Sequence, residues 1–150
     1  MVFGIFLWSL IEYLLHRFLF HSEDELPENN GTFQYAHFLI HGVHHAFPMD
    51  RYRLVFPILP GLSLGFLIYQ LTGIVRFFLP PLHQDTIFAG IIIGYVCYDM
   101  IHYYVHHSKP SVQYLRNMKS YHMKHHYKNN ADGFGISNKI WDYAFGTVLK

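Results

Sequence analysis

His122-Met123-Lys124-His125-His126, with its near copy His41-Gly42-Val43-His44-His45, decides how this chain is read. At 3.6 residues per turn, positions i, i+3 and i+4 of a helix share a face, so each stretch is expected to present three imidazoles toward one point. That is how a metal site is built. Two pairs precede the triplets, His16 with His21 and His102 with His106. These ten imidazoles exceed the four ligands of a closed structural zinc and imply two ions. An even division gives five per ion, which resembles an octahedral iron site with one position open.

Outward from the histidines the sequence is apolar. Residues 1–20 are long and apolar enough for a membrane helix, with Glu12, His16 and Arg17 in the second half. A secretory signal is excluded, because the stretch lacks a basic start and a small-residue cleavage site. Glu12, four residues before His16, shares its face. It either hydrogen-bonds a metal-bound imidazole or snorkels to the interface. On an ideal helix His21 points about half a turn away from His16, so the helix must bend or end for both to bind.

The acidic segment 22–32 reads as a loop, followed by a helix over 33–47 that carries the first triplet and stops at Pro48. His37 is expected to stack or hydrogen-bond rather than to bind metal. Apolar blocks at 56–79 and 86–106 read as a membrane hairpin with a tight turn at Pro80-Pro81-Leu82-His83-Gln84-Asp85. A hairpin returns the chain to the side it left, which brings the later histidines to the earlier ones. Lys109, Arg116, Lys119, Lys124, Lys128, Lys139 and Lys150 all follow the hairpin, and only Arg76 lies near its turn. The positive-inside bias therefore puts the histidines on the cytosolic face. Asp99 lies within about a 60° arc of His102 and His106 and is expected to orient one of them. His107 points elsewhere and His83 sits in the far turn, so neither is a candidate ligand.

A further helix over 112–128 bears the second triplet. Ser137 reads as the N-cap of a short aromatic helix, 138–145, that Gly146 stops and that anchors at the interface. The expected fold is an all-α integral membrane protein, one domain of 150 residues, with a cytosolic helical cap over the histidines.

Composition narrows the chemistry. Net charge is +1 and 14% of residues are charged, which gives no footing for nucleic acid, whereas 51% are hydrophobic and 19% aromatic. Cys97 is the one cysteine, so zinc-finger and iron–sulfur readings fail. Hydrolysis is poorly supported, for the chain has no nucleophile elbow and no H-E-x-x-H. Oxygen activation at iron fits better, because it can break an unactivated C–H bond. That chemistry draws two electrons from outside, and with no dinucleotide or haem motif present a separate donor is implied. A metal transporter would spread polar ligands along a path, whereas these gather at one interface.

The order H-x4-H, H-x2-H-H, H-x3-H, H-x2-H-H resembles the membrane fatty acid hydroxylase superfamily, related to sterol desaturases. The runs SLIEYLLHRFLFH, RLVFPILP, GYVCYDMIHYYVHH, MKHH and GFGISNKIWDYAFGT are similar to its fatty acid 2-hydroxylase branch. The resemblance covers nearly the whole chain. It implies an endoplasmic reticulum enzyme with two metal ions, iron or zinc, that uses O2 to hydroxylate C2 of a long acyl group in ceramide, with cytochrome b5 and its reductase as electron donor. It matches His16, His21, His41, His44, His45, His102, His106, His122, His125 and His126 to the metal ligands, and Tyr98 and Asp99 to residues beside the site. His107 lies outside the pattern. Members usually begin with a cytochrome b5-like domain, so this stretch corresponds to the catalytic part. A sterol or alkane oxidase of the same superfamily is the alternative.

Overall fold

The computed structural model describes residues 1–22, 30–78 and 83–149. They form seven α-helices and two π-helical turns, with no strand among the described residues. The helices are α1 (Val2–Leu15), α2 (Gly31–His37), α3 (Val43–Ala46), α4 (Ile58–Phe78), α5 (Gln84–His107), α6 (Gln113–Tyr127) and α7 (Ile140–Phe145). The acidic segment and the hairpin turn lie largely outside the described residues.

Three stretches are long and apolar enough to cross a membrane: Val2–Phe20, Ile58–Phe78 and Gln84–His107. Their outward faces are apolar. Ile58, Leu62, Phe66 and Phe77 of α4 are exposed and only Ile68 and Thr72 are buried, which suits contact with lipid. In lipid the hydrophobic effect does not hold helices together, so close packing must. Glycines supply it between α1 and α5. A Cβ on Gly4 would strike the Ile87 carbonyl, one on Gly90 would strike the Met1 carbonyl, and one on Gly94 would meet the Trp8 side chain. Trp8, Ile68, Ile87 and Ile91 form the buried cluster beside this seam. Val105, Met118 and Tyr121 form a second one, where α5 meets α6.

Two expectations about helix ends change. The first-triplet helix begins at Gly31, where the Asn30 side chain accepts the Phe33 N–H at 3.4 Å, and it passes through the π turn Phe38–Gly42 before ending at Ala46. Ser137 is not an N-cap. The Asn138 side chain accepts the first N–H of α7, from Ile140, at 3.0 Å, and Ser137 turns toward Glu12. Gly146 does end α7 in the left-handed conformation, at φ 72°. Trp141 donates to the Ser9 hydroxyl at 3.0 Å and packs on Phe6, tying α7 to α1.

Candidate metal centre

The first pair depends on a local change of helix. His16–Phe20 is π-helical, and the His21 N–H donates to the His16 carbonyl five residues back at 3.1 Å. A π turn puts i and i+5 on one face, so the half-turn offset of an ideal α-helix disappears. The two ring centroids lie 5.0 Å apart. The π turn at Phe38–Gly42 likewise brings His41 within 5.0 Å of His16 and 4.7 Å of His45, ring to ring.

Ligand atoms fall into two groups. His44, His102, His106, His122 and His126 form one, and His16, His21, His45 and His125 the other; within each, all ligand atoms lie within 4.8 Å of one another. His41 stands beside the second. The triplets therefore do not each point at one place. His44 joins the first group and His45 the second; His122 and His126 join the first and His125 the second. Adjacent residues on a helix are about 100° apart, so each triplet fans across both groups and ties them together.

The donors suit cations. In the first group the Nε2 of His122 lies 3.0 Å from that of His102, 2.8 Å from that of His106 and 3.0 Å from that of His126. A neutral imidazole carries one N–H, which cannot satisfy three neighbouring lone pairs. Two nitrogens about 2.1 Å from one ion lie about 3.0 Å apart at a right angle and about 3.4 Å apart in a tetrahedron, and the spacings within this group, 2.8 to 3.2 Å, are those of nitrogens that share one ion. The Nε2 atoms of His16, His41, His44 and His45 are buried without a hydrogen-bond partner among the described residues. An isolated buried nitrogen of this kind is costly unless a cation meets it.

Burial and neighbouring imidazoles keep the cluster neutral, as ligands must be. Burial first, then His106, push His44 down to about 3; burial, then His125, push His45 down to about 3. Burial also lowers His125 to about 4, against a raising bond to the Asp132 carbonyl. An unfolded histidine titrates near 6.5, so between that pH and about 3 to 4 the unfolded chain binds more protons and acid favours it. The stability these residues contribute is complete above about pH 6.5 and is lost as pH falls through that window. The metal-free protein should melt at a lower temperature at pH 5 than at pH 7.5, and equal melting points at the two would contradict this.

One loop orients two of the rings. The Nδ1 of His16 lies 2.6 Å from the Phe134 carbonyl, and that of His125 lies 2.8 Å from the Asp132 carbonyl. A carbonyl only accepts, so each Nδ1 carries the proton and each Nε2 is left to bind. Glu12 is buried, and among the described residues it hydrogen-bonds no imidazole. It accepts the N–H groups of Ile136 at 2.9 Å and Ser137 at 2.7 Å, and also the Ser137 hydroxyl. His37 is close to the Phe20 carbonyl, at 2.8 Å.

Below the histidines an apolar cavity of about 630 Å³ lies between α1, α4 and α5. A smaller cavity of about 20 Å³, lined in part by His41, His44, Asp99 and His102, shares Phe20, Phe56, Tyr95 and Tyr98 with it. These four residues line both cavities, so they stand between apolar space and imidazole. Phe20 stacks on both His41 and Phe56, and Tyr98 stacks on His102. Among the described residues no imidazole hydrogen-bonds Asp99, which lines the smaller cavity instead. Sequence reading missed Phe20, Phe56 and the role of the 132–137 backbone. The Gly133-Phe134-Gly135 run signals a tight loop, with Gly133 at φ 77°, but not what its carbonyls face.

A fatty acid hydroxylase family model matches residues 1–147. The chain is 50% identical over 147 residues to the ceramide very long chain fatty acid hydroxylase of Saccharomyces cerevisiae, covering 97% of this chain and 37% of that protein. It is 47% identical to the fatty acid 2-hydroxylase of Homo sapiens, covering 97% and 38%. It is 42% identical to a dihydroceramide fatty acyl 2-hydroxylase of Arabidopsis thaliana, covering 98% and 59%. The chain thus spans from just over a third to three fifths of these relatives. A solved structure described as full-length scs7p with only the hydroxylase domain visible matches at TM-score 0.85 and 46% identity, over 99% of this chain and 55% of that one. Sequence and fold agree over nearly every residue, and the chain belongs to the fatty acid hydroxylase family.

Proposed function

We propose that this chain is the catalytic part of an O2-dependent hydroxylase acting at C2 of long-chain fatty acyl groups in ceramide-type lipids. The observation that carries this is the apolar cavity, which shares Phe20, Phe56, Tyr95 and Tyr98 with a smaller cavity lined in part by His41, His44 and His102. The names of the relatives supply the substrate class and the position on the chain.

The ten histidines would hold two metal ions, iron for the proposed reaction, with zinc also accepted by such donors. Bound iron supplies the dioxygen chemistry that breaks an unactivated C–H bond. The chain's own residues do the rest. Leu64, Ile68, Phe88 and Ile91 line the cavity that binds the acyl tail and excludes water. Tyr98, stacked on His102, and Asp99, in the smaller cavity, set how far the carboxyl end enters. Electrons come from a separate donor, cytochrome b5 with its reductase. The basic residues that follow α5 support a cytosolic orientation of the histidines, and the proposed membrane is that of the endoplasmic reticulum.

The test is to express the chain with cytochrome b5 and its reductase in a host lacking acyl 2-hydroxylase, and to analyse its ceramides. 2-Hydroxyacyl ceramides are expected. Their absence with protein, iron and donor all present, or oxygen delivered to a sterol or alkane instead, would overturn the assignment.

A further inference from the structure

Four consecutive backbone N–H groups converge on two carboxylates. Phe134 and Gly135 donate to Asp142, each at 2.9 Å, while Ile136 and Ser137 donate to Glu12. The carboxylates come from opposite sides, Glu12 from α1 and Asp142 from α7. Asp142 is fully buried and also accepts the Thr147 hydroxyl at 2.9 Å, and Thr147 contacts the Tyr13 hydroxyl of α1. Irregular backbone this deeply buried needs partners for its polar groups, and here they are the oxygens of two carboxyl side chains.

The amide between Phe134 and Gly135 has both ends in use. Its N–H donates to Asp142, and its carbonyl receives the Nδ1–H of His16. A carboxylate is thereby linked to a candidate ligand through one intervening peptide group, and hydrogen bonds in series polarise one another. Glu12 fixes the same loop two residues on and lies one turn before His16 on α1. The loop also supplies the carbonyl for His125, so it serves His16 and His125 but no member of the five-histidine group.

We propose that Glu12 and Asp142 are positioning residues of the four-histidine site alone, acting through the 134–137 backbone to hold His16 with its Nε2 turned inward. This rests on the reading that the histidine groups bind metal. Carboxylates that brace a ligand at one remove commonly contribute 10–100-fold to metal affinity, and a roughly similar loss is expected here for one ion of the two.

The test is Zn2+ titration of the purified full chain in detergent, with bound metal counted by mass spectrometry and helix content followed by circular dichroism. Wild type should take two ions. E12M, which keeps the side-chain length but removes the acceptor, and D142N, which sets an amide N–H against a backbone N–H, should each weaken one ion by about 10–100-fold and leave the other unchanged. E12Q should bind both as wild type does, because its amide oxygen still accepts both N–H groups and its nitrogen can donate to the Ser137 hydroxyl. In an H122A background, where the five-histidine group is broken, D142N should weaken the remaining ion by the same roughly 10–100-fold. A folded E12M or D142N that weakens neither ion, or both alike, overturns the proposal. So does E12Q losing the four-histidine ion, which keeps the idea exposed if the disruptive variants fail to fold. A wild-type chain that binds no Zn2+ would sink the metal reading itself, a result distinct from either.

Discussion

Replacing His122 with alanine should lower 2-hydroxylation by more than about 100-fold, the upper end for a partner one bond further from the metal, and should reduce bound metal from two ions to one. The His122 Nε2 lies within 2.8 to 3.0 Å of three others. The residue is fully buried. Four donors would remain in the first group without the one at its centre, while the second group keeps all its members. H37A is the control. His37 lies against the Phe20 carbonyl and outside both groups, so two ions should remain. Product analysis by mass spectrometry and metal counting on the same preparations decide it; an H122A protein that keeps two ions would show that His122 is not a ligand.

Enlarging Gly90 should be nearly as damaging, though it touches no histidine. A Cβ there meets the Met1 carbonyl, Gly4 Cα and Ile5 N, all backbone, so no side chain can swing away to relieve it. G90L must therefore push α1 from α5; the π turn that continues α1 begins at His16 and leads to His21, and α5 carries His102 and His106. The cost should exceed the ~1–3 kcal/mol typical of an overpacked core, because the usual relief by rotamer change is missing. Loss of monodisperse protein on size exclusion is the expected result, together with loss of both ions. G65L makes the contrast. A Cβ at Gly65 has open space around it, and the residue lines the large cavity, so the fold and metal content should hold while turnover of long acyl chains falls by about tenfold or more. Wild-type turnover in G65L would place the acyl tail elsewhere.

The sequence by itself determined the helical class, the three membrane-length stretches and the identity of the clustered histidines, because each of these is a matter of spacing within one element. Periodicity states which residues share a face, and length states what can cross a bilayer. It did not determine how the imidazoles are shared out. His44 and His45 are neighbours in the chain yet enter different groups, and His125 meets His21 across 104 residues. That division depends on how closely Gly4, Gly90 and Gly94 let α1 approach α5, and on the π turn that rotates His21 into line with His16. The same holds for Glu12. Its place on the His16 face was legible, but its partners are backbone groups more than 120 residues away, which no local pattern encodes. Helical angles are local and written in the sequence, whereas the partners of a buried polar atom are chosen by packing between distant elements, and only the tertiary structure decides them.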